Sequence, residues 1–149
     1  MGPFPEPVVT LAEELARRYH AGQVDRLGVP YIDHPRAVVD LLEKAPAPWR
    51  AAAWLHDVLE HTDATADDLR AAGVPDDVVA VVEVLTRRPG EDYLDFIGRV
   101  CADPAAARVK IADALHNLDP ARDFGAPAEK RARYHRALVM LFAALPAGD

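Results

Sequence analysis

The chain has 149 residues, half of them hydrophobic and 28% charged, which by length makes one domain able to bury a real core. A formal net charge of −7 with no basic run argues against a nucleic-acid backbone as partner, although a small phosphorylated ligand needs only a local cluster of cations. The single Cys101 excludes an intramolecular disulfide framework and fits a reducing compartment. The absence of a secretory signal, or of any apolar run of about 18 residues, argues against a membrane and makes the cytoplasm the expected location.

Residues 1–6 carry two prolines and a glycine and are expected to form a loose arm. From Pro7 to His20, Val8, Leu11, Leu15 and Tyr19 recur at helical spacing, with Gly22 where a C-cap would lie. Gln23 to Pro30 reads as a loop holding Arg26 and Gly28. A second helix is expected from about His34 to Lys44, with Pro35 at its first position and Val38, Leu41 and Leu42 inward. The Ala-Pro-Ala-Pro stretch ends it, and Pro48 opens the helix that carries Trp54 and His56.

Further along, Thr65 and Asp68 form an Asp variant of the capping box ahead of a short helix, Ala66 to Ala72, stopped by Gly73. Val74 to Leu85 holds six valines, a strand-like composition. Its length, its Asp76-Asp77 start and the spacing of Val78, Val81, Val82 and Leu85 nevertheless predict a buried helix. Arg87 to Gly90 reads as a loop and Tyr93 to Cys101 as a helix. Asp103-Pro104 caps and starts a helix to about Leu118, Asp119 to Pro127 is a loop, and a last helix spans Ala128 to Leu145. With no alternating strand pattern, the expectation is an all-α, single-domain bundle of about eight helices over residues 1–149.

The chemistry concentrates in Ala51 to Thr62. An Ala-rich helical run ends in His56-Asp57, and Glu60 follows four residues after His56, one turn further along the same face, with His61 beside it. Two imidazoles and two carboxylates so close together suit a divalent metal with a proton-transfer group nearby. Further ligands are needed, and His34 and Asp113 offer them. Asp113 lies among Val109, Ile111, Ala112 and Leu115, where an unpaired carboxylate would be costly. The mixed N/O set fits Mn, Fe, Co, Ni or Zn better than Ca.

The motifs GVPYIDHPRAV, AAAWLHDVLEHT and VKIADALHNL, in this order, resemble the HD superfamily of metal-dependent phosphohydrolases. Within it they look like the hydrolase domain of RelA/SpoT-homologue alarmone hydrolases, above all the small single-domain members. The resemblance runs from about His20 to Leu118. It implies a metal held by His34, His56, Asp57 and Asp113, with Mn2+ the usual ion. The implied reaction is removal of the 3′-pyrophosphate of guanosine tetra- or pentaphosphate.

Glu60 falls on the first residue of the family's catalytic Glu-Asp pair, where it would orient or deprotonate water, and His61 stands where the second is Asp. A histidine can also transfer a proton near neutral pH. Arg26, Lys110 and Asn117 fall on substrate-binding positions. Asp25 and Ala114 stand where the family has basic residues. Arg87 and Arg88 are read as a solvated loop, and Arg131, Arg133, Tyr134, His135 and Arg136 as a solvated helix face.

Two other readings remain open from the sequence. One is a phosphohydrolase acting on another nucleotide, including a dinucleotide 2′-phosphate. The other is a module that holds metal and nucleotide without turnover.

Overall fold

A computed structural model describes residues 6–146. They form ten helical segments: α1 (Pro7–Tyr19), α2 (Asp33–Asp40), α3 (Ala47–Leu55), α4 (Val58–His61), α5 (Ala66–Ala71), α6 (Asp76–Val84), α7 (Tyr93–Cys101), α8 (Pro104–Asn117), α9 (Pro120–Asp123) and α10 (Ala128–Ala144). The all-α expectation holds for these residues, whose only extended pairing is an isolated antiparallel bridge between Val24 and Pro30. The expected arm falls largely outside the described residues. Its last residue, Glu6, precedes α1 and accepts a 2.6 Å bond from Arg50.

Two alanine-rich helices form the centre. In α3, Ala51 to Leu55 are all buried, and the helix packs against α1, α2, α6 and α8. Alanine costs no side-chain entropy and lets neighbouring backbones close in from several sides. One apolar cluster gathers Leu15, Leu55, Val58, Leu69, Val78 and Val82. The other gathers Val38, Phe96, Ile97, Val100, Val109 and Leu141, and α3 contributes to both. Each fully buried Leu or Ile of this set, such as Leu55 or Ile97, contributes about 1.5–3 kcal/mol by burial.

Local chemistry sets the ends of the helices. Thr65 and Asp68 form the reciprocal capping box, while Asp92 and Asp103 cap α7 and α8 through their carboxylates. Gly73, at φ +104, lets the chain reverse after α5 so that the Val74 amide bonds the Leu69 carbonyl. The valine-rich stretch is the helix α6, with Val78, Val79 and Val82 buried, so burial on one helical face overrides strand propensity.

Three details differ from expectation. The second helix ends at Asp40, and turns through Leu42 and Ala45 swing Leu41 outward to 55% exposure. The expected loop after Asp119 contains α9, capped by Asp119 and started by Pro120. Gln23–Pro30 is a loop as expected, pinned by the Val24–Pro30 bridge. Finally, the helix carrying His56 does not run on to Glu60. The His56 ring Nδ1 lies 2.7 Å from the Ala53 carbonyl, the acceptor that a continuing helix would offer to Asp57, and a new turn starts at Val58. Among the described residues no helix is long and apolar enough to cross a membrane.

Candidate functional site

The break after α3 leaves His56 and Asp57 at a turn in the middle of the molecule. There they meet His34 from the first turn of α2 and Asp113 from the middle of α8. Each of the four offers one donor atom, and these atoms all lie within 4.8 Å of one another. His34 Nε2 is 2.7 Å from Asp113 Oδ1 and 3.6 Å from Asp57 Oδ2. His56 Nε2 is 3.3 Å from Asp113 Oδ1 and 3.2 Å from Asp57 Oδ2. Two imidazoles and two carboxylates converging on one point suit a divalent transition metal ion.

Supporting groups orient this set. His56 Nδ1 donates to the Ala53 carbonyl at 2.7 Å, so Nε2 faces inward, where it would offer its lone pair to a bound ion once its own proton is displaced. His34 Nδ1 is 2.7 Å from His116 Nδ1, which serves as acceptor when His34 presents its own Nε2 lone pair. Burial, His34 and Arg122 together bring the His116 imidazole down to about 4, so it is neutral and able to accept. Tyr31 donates to Asp57 Oδ2 at 2.7 Å. Lys110 donates to Asp113 Oδ2 at 2.7 Å, and Asn117 Nδ2 to Asp113 Oδ1 at 3.1 Å.

Without an ion the acids retain a proton nearby. Burial pulls the His56 imidazole down, but Asp57 and Asp113 outweigh it and push it up to about 10. At His34 burial wins and lowers the ring. Asp113 is buried too, yet Lys110 and the two histidines hold its carboxyl well below the usual carboxylate range. A buried anion surrounded by two imidazoles and an ammonium group is built to meet positive charge.

Glu60 and His61, on α4, lie at the edge of this cluster. His61 Nε2 is 3.1 Å from Glu60 Oε2 and 4.0 Å from Asp57 Oδ1. Glu60 Oε1 accepts from the Arg87 amide at 3.2 Å. The Glu60 carboxylate raises the His61 imidazole above its ordinary value. Gln23 bridges behind them, its Nε2 donating to the His61 carbonyl and its Oε1 lying 2.9 Å from His20 Nδ1.

The cluster opens into a cavity of about 470 Å³ lined in part by His34, Asp57, Glu60, His61, Lys110, Asp113 and Asn117. All the residues expected to act on a ligand line it, Arg26 included. Further cations reach it that the sequence reading left out. Arg87 lines it from the loop read as solvated, whereas Arg88 does not. Arg133 and Tyr134 also line it, which corrects the reading of these two as solvated; His135 and Arg136 are exposed as expected, and Arg131 bonds the buried Asp123 at 2.6 Å. The length of α10 brings these side chains back over α8.

Arg122 was missed outright. Its Nε donates to Asn117 Oδ1 at 2.9 Å and its Nη1 to Asp25 Oδ2 at 3.4 Å. The Asp-Pro signal that marks α8 is repeated at Asp119-Pro120 and could have located it. Asp25, standing at an expected basic position, accepts the Leu27 and Val29 amides and holds its loop in shape. Ala114 is fully buried.

The chain is 34% identical to a probable GTP pyrophosphokinase of Mycobacterium leprae (strain TN), over 93% of this chain and 19% of that protein. It is 30% identical to the bifunctional (p)ppGpp synthase/hydrolase SpoT of Escherichia coli (strain K12), over 88% of this chain and 20% of that one. The chain therefore spans about a fifth of the length of these relatives. A solved structure, described as a metazoan ortholog of SpoT that hydrolyzes ppGpp and plays a role in starvation responses, superimposes with a TM-score of 0.78. That match covers 99% of this chain and 90% of the other at 23% identity, a likeness of fold. Residues 12–91 match the profile described as the HD domain, and this span contains the His34 and His56-Asp57 elements. With that match over more than half of its length, the chain belongs to the HD domain family.

Proposed function

We propose that this chain is a metal-dependent phosphohydrolase that removes the 3′-pyrophosphate of guanosine 3′,5′-bis(diphosphate)-type nucleotides in the cytoplasm. His34, His56, Asp57 and Asp113 hold one divalent ion, with Mn2+ preferred. The observation that carries the reading is the four-donor cluster at the wall of a cavity whose lining includes Arg26, Arg87, Arg122, Lys130 and Arg133. Relatives named for synthesis and hydrolysis of (p)ppGpp support the choice of substrate.

A divalent ion, when bound, makes hydroxide available near neutral pH and offsets phosphate charge. The protein's own groups do the rest. Glu60 orients the attacking water and accepts its proton, with His61 alongside as a second proton carrier. Lys110 and Asn117 hold Asp113 in place and face the phosphates, and Arg26 and Arg122 bind the ligand from the opposite loops. Tyr31 fixes Asp57. Cations placed in advance stabilise phosphate charge without reorganising during reaction.

The test is product analysis across a nucleotide panel with Mn2+, including guanosine tetraphosphate and a dinucleotide 2′-phosphate. Pyrophosphate released from the tetraphosphate is the expected result. Orthophosphate released only from another nucleotide would support the second reading, which Asp25 favours by tying up Arg122. Tight nucleotide binding with no product would leave a binding module.

A further inference from the structure

Glu60 is exposed and stands on a helix of only four residues, so its own element does little to fix where its carboxylate points. The Arg87 amide does that, donating to Glu60 Oε1 at 3.2 Å and leaving Oε2 toward His61 Nε2. Arg87 lies in the irregular stretch between α6 and α7. An amide there aims a carboxylate only as well as its own backbone is held.

That stretch is built on one side chain. Arg99, on α7, donates from Nη1 to the Val84 carbonyl at 3.0 Å and from Nη2 to the Thr86 carbonyl at 3.1 Å. Its Nε and Nη2 also hold the two oxygens of Glu91, at 3.1 and 2.9 Å. Glu91 passes the hold on to the backbone. Its Oε1 accepts the Arg88 amide at 3.0 Å, and its carbonyl accepts Arg87 Nε at 2.9 Å. Pro89 and Gly90, the latter at φ +76, make the corner of a turn closed by the Glu91 amide on the Arg88 carbonyl. Arg87 is therefore fixed from the residue before it and the residue after it. From this geometry we infer that Arg99 is a positioning residue for Glu60, acting through Glu91 and the Arg87 amide.

The pair differs from an ordinary surface ion pair. Its side chains are largely covered, Arg99 at 21% exposure and Glu91 at 13%. Arg99 first, and the Arg88 amide after it, bring the Glu91 carboxyl down to about 2, so the pair stays ionised throughout the neutral range. Neither residue is among those lining the cavity, so the pair reaches the chemistry only through the turn that it shapes. A planar guanidinium serves two carbonyls and a carboxylate at once, which a lysine ammonium cannot match.

The kinetic consequence rests on the proposed function, in which Glu60 handles the attacking water. The experiment uses the full chain loaded with Mn2+ and guanosine tetraphosphate as substrate. Arg99→Lys should lower kcat about ten- to a hundredfold, the cost of a misplaced catalytic group, with metal content and helical circular dichroism unchanged. Glu91→Gln, which keeps the shape of the side chain, should lose less. In a Glu60→Gln background the aim of that side chain no longer matters, so Arg99→Lys should alter the residual kcat by less than about twofold. A residue that only supports packing would cost the same factor in both backgrounds. The nuclear magnetic resonance signal of the Arg87 amide reads the bond without turnover. It should move in Glu60→Ala, which removes the acceptor, and in Arg99→Lys, which frees the donor.

Wild-type kcat in Arg99→Lys overturns the inference, and so does an equal loss with and without the Glu60 carboxylate. Should the wild-type chain turn over no nucleotide, the proposed function fails and the amide signal alone decides. An Arg87 signal unmoved by Arg99→Lys overturns the inference in either case. If Arg99→Lys does not fold, Glu91→Gln carries both measurements.

Discussion

Lys110 Nζ lies 2.7 Å from Asp113 Oδ2, three residues apart on α8, so the carboxylate that faces the histidines is held on its other side by a partly buried cation. The two oxygens of Asp113 are thereby divided, one for the ammonium and one for the cluster. Removing one partner of a buried pair leaves the other uncompensated, at a cost of about 3–5 kcal/mol. We expect Lys110→Met to lower the metal-free stability by an amount of that order in urea unfolding. Saturating Mn2+ should recover a good part of it, because the ion restores positive charge beside Asp113. A loss unaltered by Mn2+ would show that the lysine acts only on packing.

Metal binding should release protons. In the ion-free protein His56 is raised to about 10, so it carries a proton throughout the neutral range, whereas a ligand must be neutral. Below pH 10 each unit of acidification therefore favours the competing proton. The apparent Mn2+ affinity should rise about tenfold per pH unit between about pH 7 and 9, for one proton displaced. Chelator-competition titrations, corrected for the chelator's own protonation, measure the slope. A flat profile would mean that His56 is already neutral before the ion arrives.

Glu60→Gln keeps the size and hydrogen bonding of the side chain and removes its basicity. Turnover should fall by roughly two to four orders of magnitude, the usual worth of a positioned acid–base group. The tightly held ion should remain, since Glu60 is not among the four donors that hold it. Wild-type turnover in this variant would remove Glu60 from the chemistry.

Arg122 joins Asn117 to Asp25 and lines the cavity. A hydrogen bond to a charged group is worth about 1.5–3 kcal/mol, or about ten- to a hundredfold in binding. Arg122→Met should raise KM for a phosphorylated nucleotide within that range, with metal content unchanged. An altered metal content with unaltered KM would assign Arg122 to the support of α8 alone.

The sequence displayed much of the fold because helix boundaries depend on local chemistry. Thr65, Asp92 and Asp103 cap where their side chains reach nearby amides, and Tyr93–Cys101 is bounded as its apolar spacing predicts. It displayed the four residues that converge, His34, His56, Asp57 and Asp113, because they have little packing value where they stand. What escaped were arrangements decided between segments. The division of the helix at His56 depends on a side chain competing for one carbonyl. The inward turn of Arg133 and Tyr134 depends on how α10 returns over α8, and Arg122 depends on a two-segment contact with Asp25. Periodicity along one segment carries no trace of such partners.

His34 and His56 each meet Asp113, at separations of 79 and 57 residues along the chain. An ion bound among them ties α2, the turn after α3 and α8 into one knot that an unfolded chain cannot form. Ligand linkage then adds about 4 kcal/mol of resistance to unfolding when free ion stands a thousandfold above its dissociation constant. Cellular metal supply would thus govern how long each copy survives proteolysis as well as how fast it turns over, and starvation for the ion would thin the population before it slowed the survivors.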